Sequence, residues 1–273
     1  MVLNLGKARL ATAMETARGL LEKTKRKLPV DICRIAEMLD YRVEEAEIRW
    51  AGYVAAGEKS IVVKRSDTPT RKRFTIAHEI GHVLWKNAFE QSAKRNRLFK
   101  DGPYSEEEKI ANKLATELLM PMPEFQAMLQ GYMYPSFQSV IDIAHMFGVS
   151  FTACVRRITE VPSMLAFMYS YDVFENTQSQ YNIRPKQRYS TRYELRFLTP
   201  PLDVVKNCLE HTLRTNKLWT GKVRFQMEAD QVQIPSVGRV SSRNCQTYVT
   251  LLGWRHLDSP VQSKMQANQL VAF

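Results

Sequence analysis

The sequence predicts an α+β fold in two parts, and three observations lead there. Residues 1–160 alternate helical periodicity with short β-branched runs, the pattern of one mixed unit. After Glu160-Val161-Pro162-Ser163, read as a linker, the texture changes to short strand candidates around one helix candidate, so 161–273 reads as a second, smaller mixed α/β domain. The composition, 44% hydrophobic and 25% charged over 273 residues, is that of a globular protein with enough chain for two modest cores. No apolar run is long enough to cross a bilayer, and the start, Met1-Val2-Leu3-Asn4-Leu5-Gly6-Lys7, lacks a charged-then-apolar signal layout. A cytoplasmic protein with no membrane partner is therefore expected.

Residues 5–26 begin the order as an amphipathic helix, with Leu10, Met14, Ala17 and Leu21 at helical spacing and a basic end, Lys23-Thr24-Lys25-Arg26-Lys27. Pro29-Val30-Asp31 starts a second helix running to about Leu39, with Ile32, Ile35 and Leu39 on one side. Strands are expected at 41–48, 51–56 and 60–64, the last having the best β-branched character. Asp67-Thr68-Pro69-Thr70 then offers a cap for a helix over 71–85. A polar, basic stretch, 87–104, separates it from the next helix, where Ser105 and Glu108 make a capping-box pattern and Leu119-Met120-Pro121 ends the element. Further helices are expected at 123–129, 136–146 and 151–159. The last two, joined at Gly148-Val149-Ser150, have the cadence of a helix-turn-helix, so 136–159 is a helix-turn-helix-like segment. Beyond the linker come strands at 164–169, 193–198, 223–228 and 246–252, and a helix at 202–215.

The chemistry is concentrated at His78-Glu79-Ile80-Gly81-His82. On a helix, positions i and i+4 share a face, so both imidazoles can reach one metal ion. One Zn2+ is expected, with another divalent metal such as Mn2+ as the alternative. Zinc lowers the pKa of its water to roughly 7, and Glu79 stands where a general base can take the proton as that water attacks a carbonyl. The four cysteines, Cys33, Cys154, Cys208 and Cys245, are scattered and read as buried free thiols, which leaves His and carboxylate to hold the metal.

Two histidines do not complete a catalytic zinc site; three protein ligands are usual. Position i+6 from His82 is Ala88, so no histidine stands there. His145, among Ile143, Ala144 and Met146, reads as a core or surface histidine. On the helix ending at Pro121, Ala111, Ala115, Leu118 and Leu119 define the buried side, and Glu106 and Glu117 point away from it. Glu107 and Glu108 are both compatible with it, and periodicity leaves the two open. The alanines at 111 and 115 are small enough to let this helix approach the histidine helix closely.

Two blocks, Arg73-Phe74-Thr75-Ile76-Ala77-His78-Glu79-Ile80-Gly81-His82 and Glu108-Lys109-Ile110-Ala111-Asn112-Lys113-Leu114-Ala115-Thr116-Glu117-Leu118-Leu119-Met120-Pro121, closely resemble the ImmA/IrrE family of bacterial metallopeptidases over about residues 25–160. The resemblance implies a zincin-like minimal metallopeptidase domain over 1–160. It also implies metal ligation by His78, His82 and Glu108, with Glu79 as general base. Asn112 is expected either to support the site through a hydrogen bond or to make a polar contact in helix packing. Leu114 departs from the pattern, where relatives usually carry an aromatic, and the departure concerns packing. The resemblance further implies a GAF-like sensor domain, or a docking domain, over 161–273. No ligand set is recognisable there, and no organic cofactor is expected.

The net charge of +11 is uneven, with ten Lys/Arg between 64 and 100 against Asp67, Glu79 and Glu90. That balance favours a nucleic acid or an acidic protein surface as partner. The helix-turn-helix-like segment offers few base-reading side chains (Ser150, Thr152, Arg156 and Arg157), whereas Arg184, Lys186, Arg188, Arg192 and Arg196 form a candidate ligand or nucleic-acid patch. The function expected is a cytoplasmic zinc metalloendopeptidase of narrow range. By resemblance, its substrate is a helix-turn-helix transcriptional repressor, whose cleavage induces a stress-response (DNA-damage) or mobile-element regulon. The rivals are a regulatory protein that binds DNA or a repressor with a non-proteolytic zinc site, and an antitoxin-like partner of a toxin. The intact Glu79 argues against the first, because a structural site needs no general base.

Overall fold

A computed structural model describes residues 2–25, 27–92, 106–132, 136–175, 181–191, 202–226, 231–243 and 246–256. The chain divides into two units, Met1–Leu129 with Val140–Arg157, and Gln130–Ser139 with Ile158–Phe273. No single helix among the described residues is long and apolar enough to cross a membrane.

In the first unit, α1 (Val2–Lys23) packs on α3 (Pro69–Ser92) and α4 (Glu106–Leu119), burying Ala13, Ala17, Leu20 and Leu21. The seven-residue α2 (Ile32–Met38) is capped by Asp31, whose side chain accepts from the Arg34 N–H at 3.0 Å. Three strands follow, β1 (Arg42–Ala46), β2 (Gly52–Ala55) and β3 (Ser60–Lys64). The β-branched run of β3 takes the centre, parallel to β1 and antiparallel to β2, and Ile61, Val62 and Val63 are buried there. This order leaves β2 on an edge.

Pro69 opens α3 after Thr68, whose Oγ1 accepts from the Arg71 N–H at 3.4 Å. The helix continues to Ser92, so the polar stretch expected from 87 begins within it. The reason is burial: Ala88 is 4% exposed, and no Gly or Pro interrupts the segment. Where α3 crosses α4, Gly81 faces Ala111. A Cβ at 81 would stand 2.7 Å from the Ala111 carbonyl oxygen and 3.0 Å from its Cα. The contact is with backbone, so glycine at 81 is what permits this approach.

After α5 (Met122–Gln130), α6 (Phe137–Phe147) and α7 (Phe151–Ile158) meet at 103°, within the range of a helix-turn-helix. Gly148, at φ +63°, ends α6, with its N–H bonded to His145 O and the Val149 N–H to Ala144 O, a Schellman arrangement. Arg73 of α3 ties this turn to the chain before α2, donating from Nε to Gly148 O (3.1 Å) and from Nη2 to Val30 O (2.9 Å). The base-reading reading of α7 loses one arginine here. Arg157 is buried, with Nη2 2.6 Å from Glu117 and Nε donating to Met120 O. Glu117, expected to point away from the buried side, is itself buried. The expectation assumed one buried stripe on α4, whereas the helix is enclosed on more than one side, with Ile110 and Leu114 buried as well.

The second unit is a five-stranded antiparallel sheet made by β4 (Met164–Glu175), β5 (Tyr181–Ser190), β6 (Trp219–Gln226), β7 (Gln231–Arg243) and β8 (Gln246–His256), in the order β5-β4-β8-β7-β6. One face carries Phe167, Tyr169, Tyr171, Val223, Phe225, Val249 and Leu251, and the α8 helix (Leu202–Thr215) packs there through Val205, Cys208 and Leu209. Burial pushes the Tyr169 and Tyr171 hydroxyls well above the usual tyrosine range. The strand expected at 193–198 lies outside the described residues, and β5 and β7 were not expected. Both contain proline, and both place it where a ladder hydrogen bond is dispensable. Pro185 sits at a register shift on the edge strand β5, and Pro235 lies just before Ser236, where pairing with β8 begins. The expected linker is a tight turn in which Val161 is buried. Of the thiols, Cys154 and Cys208 are buried but Cys33 is exposed, contrary to expectation; Cys245 lies outside the described residues.

Candidate metal centre

Helix spacing and the Gly81–Ala111 contact together build the site. His78 and His82 project one turn apart from α3, and their Nε2 atoms stand 3.1 Å from one another. The first turn of α4 brings Glu108 against both, with Oε2 3.2 Å from His78 Nε2 and Oε1 3.2 Å from His82 Nε2. A tetrahedral ion holding nitrogen and oxygen at ~2.0–2.1 Å sets neighbouring donor atoms about 3.3 Å apart, so these separations fit one small divalent cation. Two imidazoles and a carboxylate are also a donor set that such an ion accepts. Among the described residues, His78, His82 and Glu108 form a cluster able to hold a metal ion.

The outer ring nitrogens are held as well. His78 Nδ1 lies 3.1 Å from Asn112 Oδ1, and His82 Nδ1 lies 3.0 Å from Glu107 Oε1. In the tautomer that donates from Nδ1, each neutral ring turns a bare Nε2 toward Glu108, the form a metal requires. Of the two glutamates periodicity could not separate, Glu108 faces both Nε2 atoms and Glu107 orients one ring from outside. Sequence reasoning missed this task of Glu107. The available signal was its position one residue before Glu108, on the side facing α3.

Burial, with His82 adding to it, holds His78 below the usual histidine range, while Glu108 and Asn112 pull it up. Burial raises the Glu79 carboxyl above its usual range, with His82 opposing the rise and Glu108 adding to it. Glu79, His78, His82 and Glu108 share an open cavity of about 560 Å³ with the edge strand β2 and the start of α3. Tyr53 of β2 lines it, Tyr104 lies outside the described residues, and His145 is exposed at the end of α6. Leu114 is fully buried, consistent with a packing role.

A cavity beside an edge strand, a His-His-Glu cluster and an adjacent carboxylate define a metallopeptidase-type domain. Residues 36–159 match the family model of the IrrE N-terminal-like domain, a peptidase family, and the match supports an ImmA/IrrE-type assignment for this part of the chain. Among solved structures the chain is similar to a Mycobacterium tuberculosis transcriptional regulator, with TM-score 0.56 and 14% identity over 89% of this chain and 75% of that one. At that identity the likeness is one of fold. No curated protein matches the sequence.

Proposed function

We propose that the chain is a zinc endopeptidase that cleaves a helix-turn-helix transcriptional repressor in the cytoplasm, releasing a stress-response or mobile-element regulon. The observation that carries the proposal is the triangle of His78, His82 and Glu108 donor atoms with Glu79 in the same cavity. In this reading His78, His82 and Glu108 hold the ion. When bound, zinc supplies Lewis-acid polarisation of the scissile carbonyl and a lowered pKa for water. Glu79 takes the proton of the attacking water and passes it to the leaving amine, so the C–N bond breaks with one water consumed. Asn112 and Glu107 keep the two rings turned toward the ion. Among the described residues β2 pairs only with β3, so its other edge, beside the cavity, is where an extended substrate segment can add as a further strand.

The domain roles follow from the same reading: 1–160 is the peptidase and 161–273 a GAF-like sensor or docking domain, supported by its antiparallel sheet with one helix across a face. A second reading, a regulatory protein that binds DNA or a repressor without cutting it, is favoured by the regulator among the solved structures of similar fold. N-terminal proteomics on cells expressing wild type or Glu79→Gln, with and without DNA damage, separates the two. A new N-terminus inside a repressor, lost by about 10²–10⁴-fold in Glu79→Gln, is expected. Identical termini from wild type and variant would favour the second reading.

A further inference from the structure

Arg71 lies seven residues before His78 on α3, two turns away on the same side, and it lines the same cavity. Its guanidinium stands 5.8 Å from the Phe74 ring, which also lines the cavity. Among the described residues no carboxylate pairs with it, although neighbouring cations are engaged: Lys72 reaches Glu45 at 2.7 Å, and Arg73 is spent on Gly148 and Val30. The other charged residues of the cavity are Glu79 and Glu108, both committed to the proposed chemistry, so Arg71 supplies its cation. Strand β2 lines the same cavity through Tyr53, which is 45% exposed.

We infer that Arg71 is a specificity-determining residue that reads an acidic side chain of the substrate, two or three residues from the cleaved bond. The inference rests on the peptidase reading of the same site and names its substrate class: segments with Asp or Glu near the cut. The distance follows from geometry, since two helical turns span roughly 10 Å. An extended chain covers that distance in about three residues. The chemistry follows from the guanidinium, whose planar fork matches a carboxylate in two parallel hydrogen bonds. Phe74 beneath it limits the directions it can take.

The test digests a proteome-derived peptide pool with the zinc-loaded full chain, as wild type, Arg71→Glu and Arg71→Lys, and identifies the new ends by mass spectrometry. Expected are wild-type cuts enriched in Asp or Glu at one such position. Arg71→Glu should lower cleavage of those peptides on the order of tenfold and favour Lys or Arg there, while Arg71→Lys keeps the acidic preference. Cuts without acidic enrichment, or an enrichment unchanged in Arg71→Glu, overturn the inference while leaving the peptidase reading intact. If wild type cuts nothing, the peptidase reading is in trouble, and the subsite is judged by capture of the same peptides on zinc-loaded Glu79→Gln. Acidic enrichment lost when Arg71→Glu is added supports it; a captured set without enrichment, or no capture, overturns it.

Discussion

The two ends of α4 carry carboxylates in opposite circumstances. At its start, Glu108 has a side chain 40% exposed and faces two imidazole nitrogens at 3.2 Å. Nine residues on, Glu117 is 4% exposed and meets the Arg157 guanidinium at 2.6 Å, with Arg18 at 3.6 Å. The chain itself supplies the cation that closes the second carboxylate. The first is arranged with two imidazole nitrogens around a point that suits a cation from outside. Burial alone therefore does not mark the functional residue; the partner does. The deeper of the two glutamates is the structural one.

The sharpest test of that contrast exchanges the consequences of losing each group. Glu117→Ala removes the carboxylate that meets the buried Arg157 guanidinium and should cost about 3–5 kcal/mol in urea unfolding. Zinc affinity of the folded protein should stay as in wild type. Glu108→Ala should do the reverse, with apo stability within about 1 kcal/mol of wild type. Under the proposed metal ligation, its zinc affinity should fall by more than about a hundredfold, since removing one of three proposed ligands exceeds the loss from a supporting group. Stability losses of equal size in the two variants would erase the distinction.

Between these ends lies the crossing at Gly81, and its substitution probes whether helix approach holds the site together. In an isolated helix Gly81→Ala would be favourable by up to about 1 kcal/mol. Here the added methyl would press on the Ala111 backbone, which cannot yield without α4 moving. A net destabilisation of about 1–3 kcal/mol is expected. Weakened zinc binding should accompany it, because Glu108 and Glu107 travel with α4. A variant more stable than wild type with unchanged zinc affinity would show that the helices have room to spare.

The same contrast governs what the sequence made legible. His78, His82 and the narrowing to Glu107 or Glu108 were readable, because i,i+4 spacing and one buried stripe are local properties of single helices. The resemblance then favoured Glu108, and the cluster contains it. Glu117 was misread because its partner sits 40 residues later on α7, and no periodicity within α4 reveals a second buried side. Helix α8 was found at its full extent because its Leu/Val/Cys stripe is regular. Strands β5 and β7 were missed because proline and polar residues hide them. Only the neighbours to which they pair make a sheet of them.

The smallest expected effect lies in the two outer hydrogen bonds, and it refines the comparison from whole carboxylates to a single charge. His82 is oriented by a carboxylate, Glu107, and His78 by a neutral amide, Asn112. Both acceptors fix a ring, but only the carboxylate makes the bond charge-assisted. Glu107→Ala and Asn112→Ala should each weaken zinc binding about 10- to 100-fold, measured by competition with a chromophoric chelator. Glu107→Gln keeps an acceptor and loses the charge, so its loss should be smaller than that of Glu107→Ala. Asn112→Asp adds the missing charge and should bind zinc at least as tightly as wild type. If all four variants matched wild type, the rings would be held by helix packing alone, and Glu107 and Asn112 would have no part in the site.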